Sequence, residues 1–231
     1  MESKLGLKRG QTGRRPWVAL AVLLFAAAMP LAGQQGQSPA AAPPVDPAKL
    51  PAHDEHQGLL ISADPYLSSA RSEERFGKKH PYAAGILAVE VYLRNNTDSP
   101  IQVALPSVEL NVSPPGGPRQ NLETLTPRAA AVLIINPGGP HPTTKRLPIP
   151  GAAGGSDKNA KKVEKMQGAL AAEMLGDIVG PHATVHGFLF FDLNAEFDSV
   201  AHATLFFPDV RRVNPEERLL FFEVDLAPAA K

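Results

Sequence analysis

From Leu87 to Leu93 the apolar side chains Leu87, Val89, Val91 and Leu93 fall on every second residue, with Glu90, Tyr92 and Arg94 between or just beyond them. A period of two belongs to a strand with one buried face, whereas a helix repeats its apolar residues every three or four. Asn95 to Pro100 supplies turn residues, after which Ile101, Val103 and Leu105 resume the alternation. The stretch 85–103 is therefore expected to form an antiparallel hairpin over one side of a core.

Other segments carry the same signal. "GLLISADPYL" reads as a strand running into Asp64-Pro65, a helix cap followed by a first-turn proline, and then a short helix ending at Gly77. Val108, Leu110 and Val112 alternate before the turn "SPPGGP". "TVHGFLFFDL", "HATLFFPDV" and "RLLFFEVDL" follow in the last third, the last with Leu220, Phe222, Val224 and Leu226 on one face. Eight of the ten phenylalanines lie between Phe188 and Phe222, so these strands should carry the core. Their apolar residues occupy both faces in part, which implies a cover on the outer side of at least one sheet.

Two helices are expected between these groups. Thr126-Pro127 is a cap and first-turn proline ahead of "RAAAVLI". From 157 to 179, Val163, Met166, Leu170, Met174 and Ile178 recur at steps of three and four, with Ser156 or Asp157 as cap and Gly180 as terminator. A glycine- and proline-rich insertion, residues 136–156, joins them. Short strands punctuated by turns, with these helices inserted, predict a mainly β, two-sheet antiparallel sandwich.

The N-terminus is built differently. Lys4, Lys8, Arg9, Arg14 and Arg15 precede the apolar run Trp17–Leu31, the pattern of a secretory signal over residues 1–33. Fifteen residues at ~1.5 Å each reach roughly 22 Å, short of a ~30 Å hydrocarbon core, so a cleaved signal is favoured over an uncleaved signal anchor at 17–32. Residues 34–57 are rich in Gln, Ala and Pro and read as a disordered tether before a single domain at 58–227. Without residues 1–33 the chain keeps 18 Lys and Arg against 22 Asp and Glu, with no basic face for nucleic acid. There is no cysteine, so stability must come from the core.

"ILAVEVYLRNNTDSPIQV", "VHGFLFFDL" and "ATLFFPDV" together resemble the immunoglobulin-like sandwich domains of many uncharacterised exported bacterial proteins. "ADPYLSSARSEERFG" is similar to a segment that accompanies such domains. The resemblance spans roughly residues 58–226. It implies a fold and an exported address, periplasmic or extracellular, and it carries over no catalytic residue. The helix at 157–179 and the insertion depart from a minimal sandwich.

Candidate chemistry is sparse. "HDEH", His53 to His56, packs four ligand types together, but at the end of a tether it lacks support for a metal. His182 and His186 have helical metal-ligand spacing, yet a strand would spread them by ~13 Å. Ser156 lacks the glycine pattern of a nucleophile elbow and reads as a helix cap. Asp192, Glu196, Asp198 and Asp209 are possible paired carboxylates or turn formers. The glycine-proline clusters at 114–118 and 137–142 lack the N–H groups a phosphate needs. Asn95-Asn96-Thr97 and Asn111-Val112-Ser113 match the glycosylation sequon.

The expectation is a non-enzymatic exported binding or assembly module of the cell envelope, with no catalytic, cofactor-binding or metal-binding residues and no cofactor. Its partner would be another envelope protein. An exported hydrolase with a site near the 136–156 insertion is the alternative, and a membrane-anchored module with an uncleaved N-terminal helix is a further one.

Overall fold

The computed structural model describes residues 45–114, 116–137 and 157–230. The expected signal, most of the tether, the 138–156 part of the insertion and Ser156 lie outside them. Among the described residues the strands are β1 (Ala52–His56), β2 (Leu59–Pro65), β3 (Ile86–Asn95), β4 (Ile101–Val103), β5 (Glu109–Val112), β6 (Gln120–Glu123), β7 (Ile178–Val179), β8 (Thr184–Asp192), β9 (Ala203–Phe207), β10 (Val210–Arg212), β11 (Glu217–Arg218) and β12 (Phe222–Asp225). The helices are α1 (Ser69–Phe76), α2 (Pro127–Ile135) and α3 (Asp157–Glu173).

The strands form three antiparallel four-stranded sheets: A, in the order β1-β2-β3-β8; B, β11-β10-β4-β7; and C, β12-β9-β5-β6. Three chain segments run through both B and C: β4 into β5, β9 into β10, and β11 into β12. B and C are thus two parts of one bent layer, broken by Pro106, Pro208 and the Leu219–Phe221 bend. Proline cannot donate to a ladder, so a strand kinks or ends there. Backbone bonds from Ala104 N to Asp209 O (2.9 Å) and Leu219 N to Val210 O (2.8 Å) tie the break together.

Sheet A faces this layer across one core. Leu87, Val89, Val91 and Leu93 of β3 meet Leu189 and Phe191 of β8, Leu110 and Val112 of β5, and Phe207, Phe222 and Val224, all buried. This is the expected inner stripe, and the mainly β, sandwich-like architecture agrees with the sequence.

The opposite face of sheet A has its own core, because three helices cover it. Ile86, Ala88, Phe188 and Phe190 pack there with Tyr66, with Ala130, Leu133 and Ile134 of α2, and with Leu170 of α3. Thr126 Oγ1 accepts from Ala129 N at 3.2 Å and Pro127 opens α2, as its sequence predicts. Gly77 ends α1 at a positive φ of 82°, a backbone conformation that favours glycine.

Several expectations need correction. The 85–103 hairpin does not form: β3 belongs to sheet A, while β4 pairs with β10 and β7 in sheet B. Buried Asn95 makes the corner between the layers. Its Nδ2 donates to Ser99 O, Val179 O and Gly180 O, and its Oδ1 accepts from Thr97 N and Oγ1. Residues 52–56, assigned to the tether, form β1, paired with β2 along its length. Asp64-Pro65 ends β2 instead of starting a helix, and Ser68 caps α1.

Helix α3 stops at Glu173, short of 179, and Ile178 belongs to β7, 49% exposed. The chain crosses β8 here, with Leu175 N bonded to Phe188 O (3.3 Å), so Gly187 is required: a Cβ on it would lie 2.5 Å from Leu175 N. Leu220 is exposed, because the 219–221 bend interrupts the alternation before Phe222.

Candidate functional site

Two faces gather chemistry. On the helix-covered face of sheet A, strand register sets Glu90 between Asp64 and Phe188, and Tyr92 between Ser62 and His186. Glu90 is 7% exposed and fully engaged: Tyr66 Oη donates to Oε2 at 3.0 Å, and His186 Nδ1 lies 3.1 Å from Oε1. The Tyr92 and His186 rings stack with centroids 5.4 Å apart. The Arg71 guanidinium sits 3.9 Å over the Tyr66 ring and grips both oxygens of Asp64.

These neighbours shift the phenols. Burial, then the charge of Glu90, pushes the Tyr66 hydroxyl up to about 12, and the same causes raise Tyr92. The Asp64 hydrogen bond raises Arg71 above the usual guanidinium value. All three therefore keep their protons at neutral pH, and the tyrosines act as donors and not as bases. A buried carboxylate held by a phenol and an imidazole can orient the imidazole, as in acid-base dyads, or simply tie β3 to β8 and to the segment after β2. Sequence reading missed Glu90. The available signal was the apolar pair Ile86 and Ala88 on the nominally polar face of β3, which shows that this face is covered too.

The sequence candidates scatter. In β1 the alternation of a strand splits "HDEH": Asp54 Oδ2 accepts from Glu223 N (3.0 Å) and His56 stacks on Phe222 (3.7 Å), while His53 Nδ1 meets Leu50 O and Glu55 accepts from Asn96. No group of three metal-ligating side chains occurs among the described residues. His182 is exposed beside Asp98 (2.8 Å), and His186 belongs to the Glu90 cluster. Asp192 and Glu196 line one cleft of about 160 Å³, together with Val112, Leu122 and Ser199. Asp209 is elsewhere, paired with Arg211 at 2.8 Å. Both sequon asparagines are buried, Asn95 at 0% and Asn111 at 8% exposure, and so are closed to glycosylation in the folded domain.

The second face is the outer side of sheet C. Phe206 and Phe221 lie on it with ring centroids 5.7 Å apart, and Leu220 and Phe221 are 63% and 53% exposed. Gln57 Oε1 accepts from Leu220 N at 2.7 Å, and His56 Nε2 lies 3.1 Å from Phe221 O, so the end of β1 and the turn after it hold this apolar corner outward. Glu109, Glu123, Glu223 and Asp225 share the face by register.

No protein-family model matches the chain, and no curated protein matches it. A solved structure of a functionally unknown protein from Listeria monocytogenes EGD-e is similar at 12% sequence identity and a TM-score of 0.30, covering 67% of this chain and 68% of that one. A likeness of that size carries no argument about fold or function. Among the described residues no helix is long and apolar enough to cross a membrane.

Proposed function

We propose that this chain is a non-enzymatic binding or assembly module exported to the cell envelope, an immunoglobulin-like sandwich that docks another protein through the outer face of sheet C. The observation that supports it is the Leu220-Phe221 corner. Two adjacent large apolar side chains are turned to solvent where their backbone bonds the side chains of Gln57 and His56, in a fold that buries Phe222 next door completely. Exposed apolar clusters rimmed by polar groups mark interaction surfaces.

A photo-crosslinking side chain at position 221, expressed in the native host, tests this. One discrete adduct from 221, and none from another exposed apolar position such as Val132 on α2, is expected. The absence of any adduct at 221 would sink the proposal. Mass spectrometry of the mature N-terminus separates a cleaved signal from an anchored module.

The hydrolase site expected near the 136–156 insertion falls, from 138 to 156, outside the described residues; among the described residues a hydrolase reading rests instead on the cleft lined by Asp192 and Glu196, where β8 ends. Hydrolysis of a chromogenic ester or glycoside that Glu196→Gln abolishes would replace docking with catalysis.

A further inference from the structure

Register assembles one row across four strands on the outer face of sheet C: Glu123 faces Glu109, Glu109 faces Phe206, and Phe206 faces Glu223. The next row is Asn121, Asn111, Thr204 and Asp225. None of the four strands contains a lysine or arginine. Like charges directly opposite on paired strands destabilise the pair, and Glu109 with Glu123 is such a pair. Asn121 relieves it only in part, donating to Glu109 Oε2 across 3.4 Å. A protein that leaves such a row uncompensated keeps it at a cost to stability, as binding faces do.

A separate observation lies at the centre of the face. Asn111 is 8% exposed, and its Oδ1 has no hydrogen-bond partner among the described residues. Buried acceptors are ordinarily satisfied, so this one adds a second destabilising feature to the centre of the face, beside the carboxylate row. The charged groups turned outward here are carboxylates, next to an acceptor without a donor and two aromatic rings. Such a surface repels phosphate backbones and anionic lipid and complements a cationic chain.

We infer that this face receives a segment of a partner protein bearing lysines or arginines. Its cations meet the Glu109-Glu123 and Glu223-Asp225 pairs, and an apolar residue of the partner packs on Phe206 and Phe221. The inference rests on the docking role proposed above and adds the chemistry of the partner.

The test uses the full chain and two labelled twelve-residue peptides, one alternating Lys and Ser around two central Phe, the other with Glu in place of Lys. Fluorescence anisotropy should show saturable binding of the Lys peptide alone. Glu109→Lys with Glu223→Lys should weaken it about tenfold, and Phe221→Ser about threefold. Glu164→Lys, on the exposed side of α3, should leave it within about twofold. Circular dichroism establishes that each variant is folded, and Glu109→Gln with Glu223→Gln replaces the lysine pair if that pair does not fold. Equal binding of the Glu peptide, or a dissociation constant unmoved by the paired substitutions, overturns the inference. If this happens while the adduct at position 221 persists, the docking role stands and the basic partner falls; if the adduct is missing too, both fall.

Discussion

The outer faces of sheets A and C are made by the same alternation, and each sets carboxylates at its centre, yet their fates are opposite. Glu90 is 7% exposed, covered by helices and bonded to Tyr66 and His186. Glu109, Glu123 and Glu223 stand toward solvent, one beside another of like charge. Alternation thus decides which side chains share a face, and only the cover decides what that face is. Helices turned one outer face into a second core. The other, left bare, keeps charge and aromatic surface together.

The largest expected effect is on the doubly covered strand. Val91→Asp puts a carboxylate with no partner into the core between the layers, at a cost of several kcal/mol against a typical total of ~5–15. The variant should be unfolded at 25 °C by circular dichroism; a native melting temperature would mean that β3 is not buried on both sides. Next comes Gly187→Ala. The clash is with the backbone of 174–175, which cannot swing aside as a side chain would, so a loss of about 3 kcal/mol in urea unfolding is expected. A loss below about 1 kcal/mol would show that the crossing from α3 to β7 is loose.

How far the sequence reveals this arrangement follows from what each signal encodes. Period-two patterning of β3, β5, β8 and β12, the Thr126-Pro127 start of α2 and the Gly77 stop of α1 are local, and they are legible. Pairing is not local. The alternation of β3 and β4 fits a hairpin as well as a corner, and the corner is chosen by Asn95 bonds to Val179 and Gly180, more than eighty residues away. Strand β1 hides in tether-like composition, since its polar residues suit an edge strand, and what fixes it are β2 and the His56-Phe222 stack. The Glu90 cluster escapes because a lone carboxylate in an alternating strand looks solvated until something is known to cover it.

Removing Glu90 tests that cover. Glu90→Ala deprives the Tyr66 hydroxyl and His186 of their partner inside the helix-covered layer, and about 2 kcal/mol of stability should go. A neutral result would mean that water reaches the cluster freely and that this face resembles sheet C after all.

Alkaline pH probes the same cluster more gently. In the unfolded chain the Tyr66 phenol ionises near ~10, and in the folded chain only near about 12. Between these values the unfolded state has given up a proton that the folded state retains, so this contribution is complete below about pH 10 and fades as pH rises toward 12. Tm should fall across that window, and Tyr66→Phe should fall less steeply. Identical slopes would show that neither burial nor Glu90 keeps the phenol protonated in this window.

The smallest effect makes the sharpest contrast, because it is the same substitution on the other face. Glu109 has carboxylate Glu123 directly opposite and one long contact from Asn121. Glu109→Ala therefore removes a repulsion and no buried bond, and should raise stability by up to about 0.5 kcal/mol, more at low salt than at high. Glu90→Ala and Glu109→Ala would then differ in sign, though both delete a carboxylate from the middle of a strand. If Glu109→Ala lost as much as Glu90→Ala, the acidic row would be part of the packing of the domain, and its outward charge would no longer be available to a basic partner.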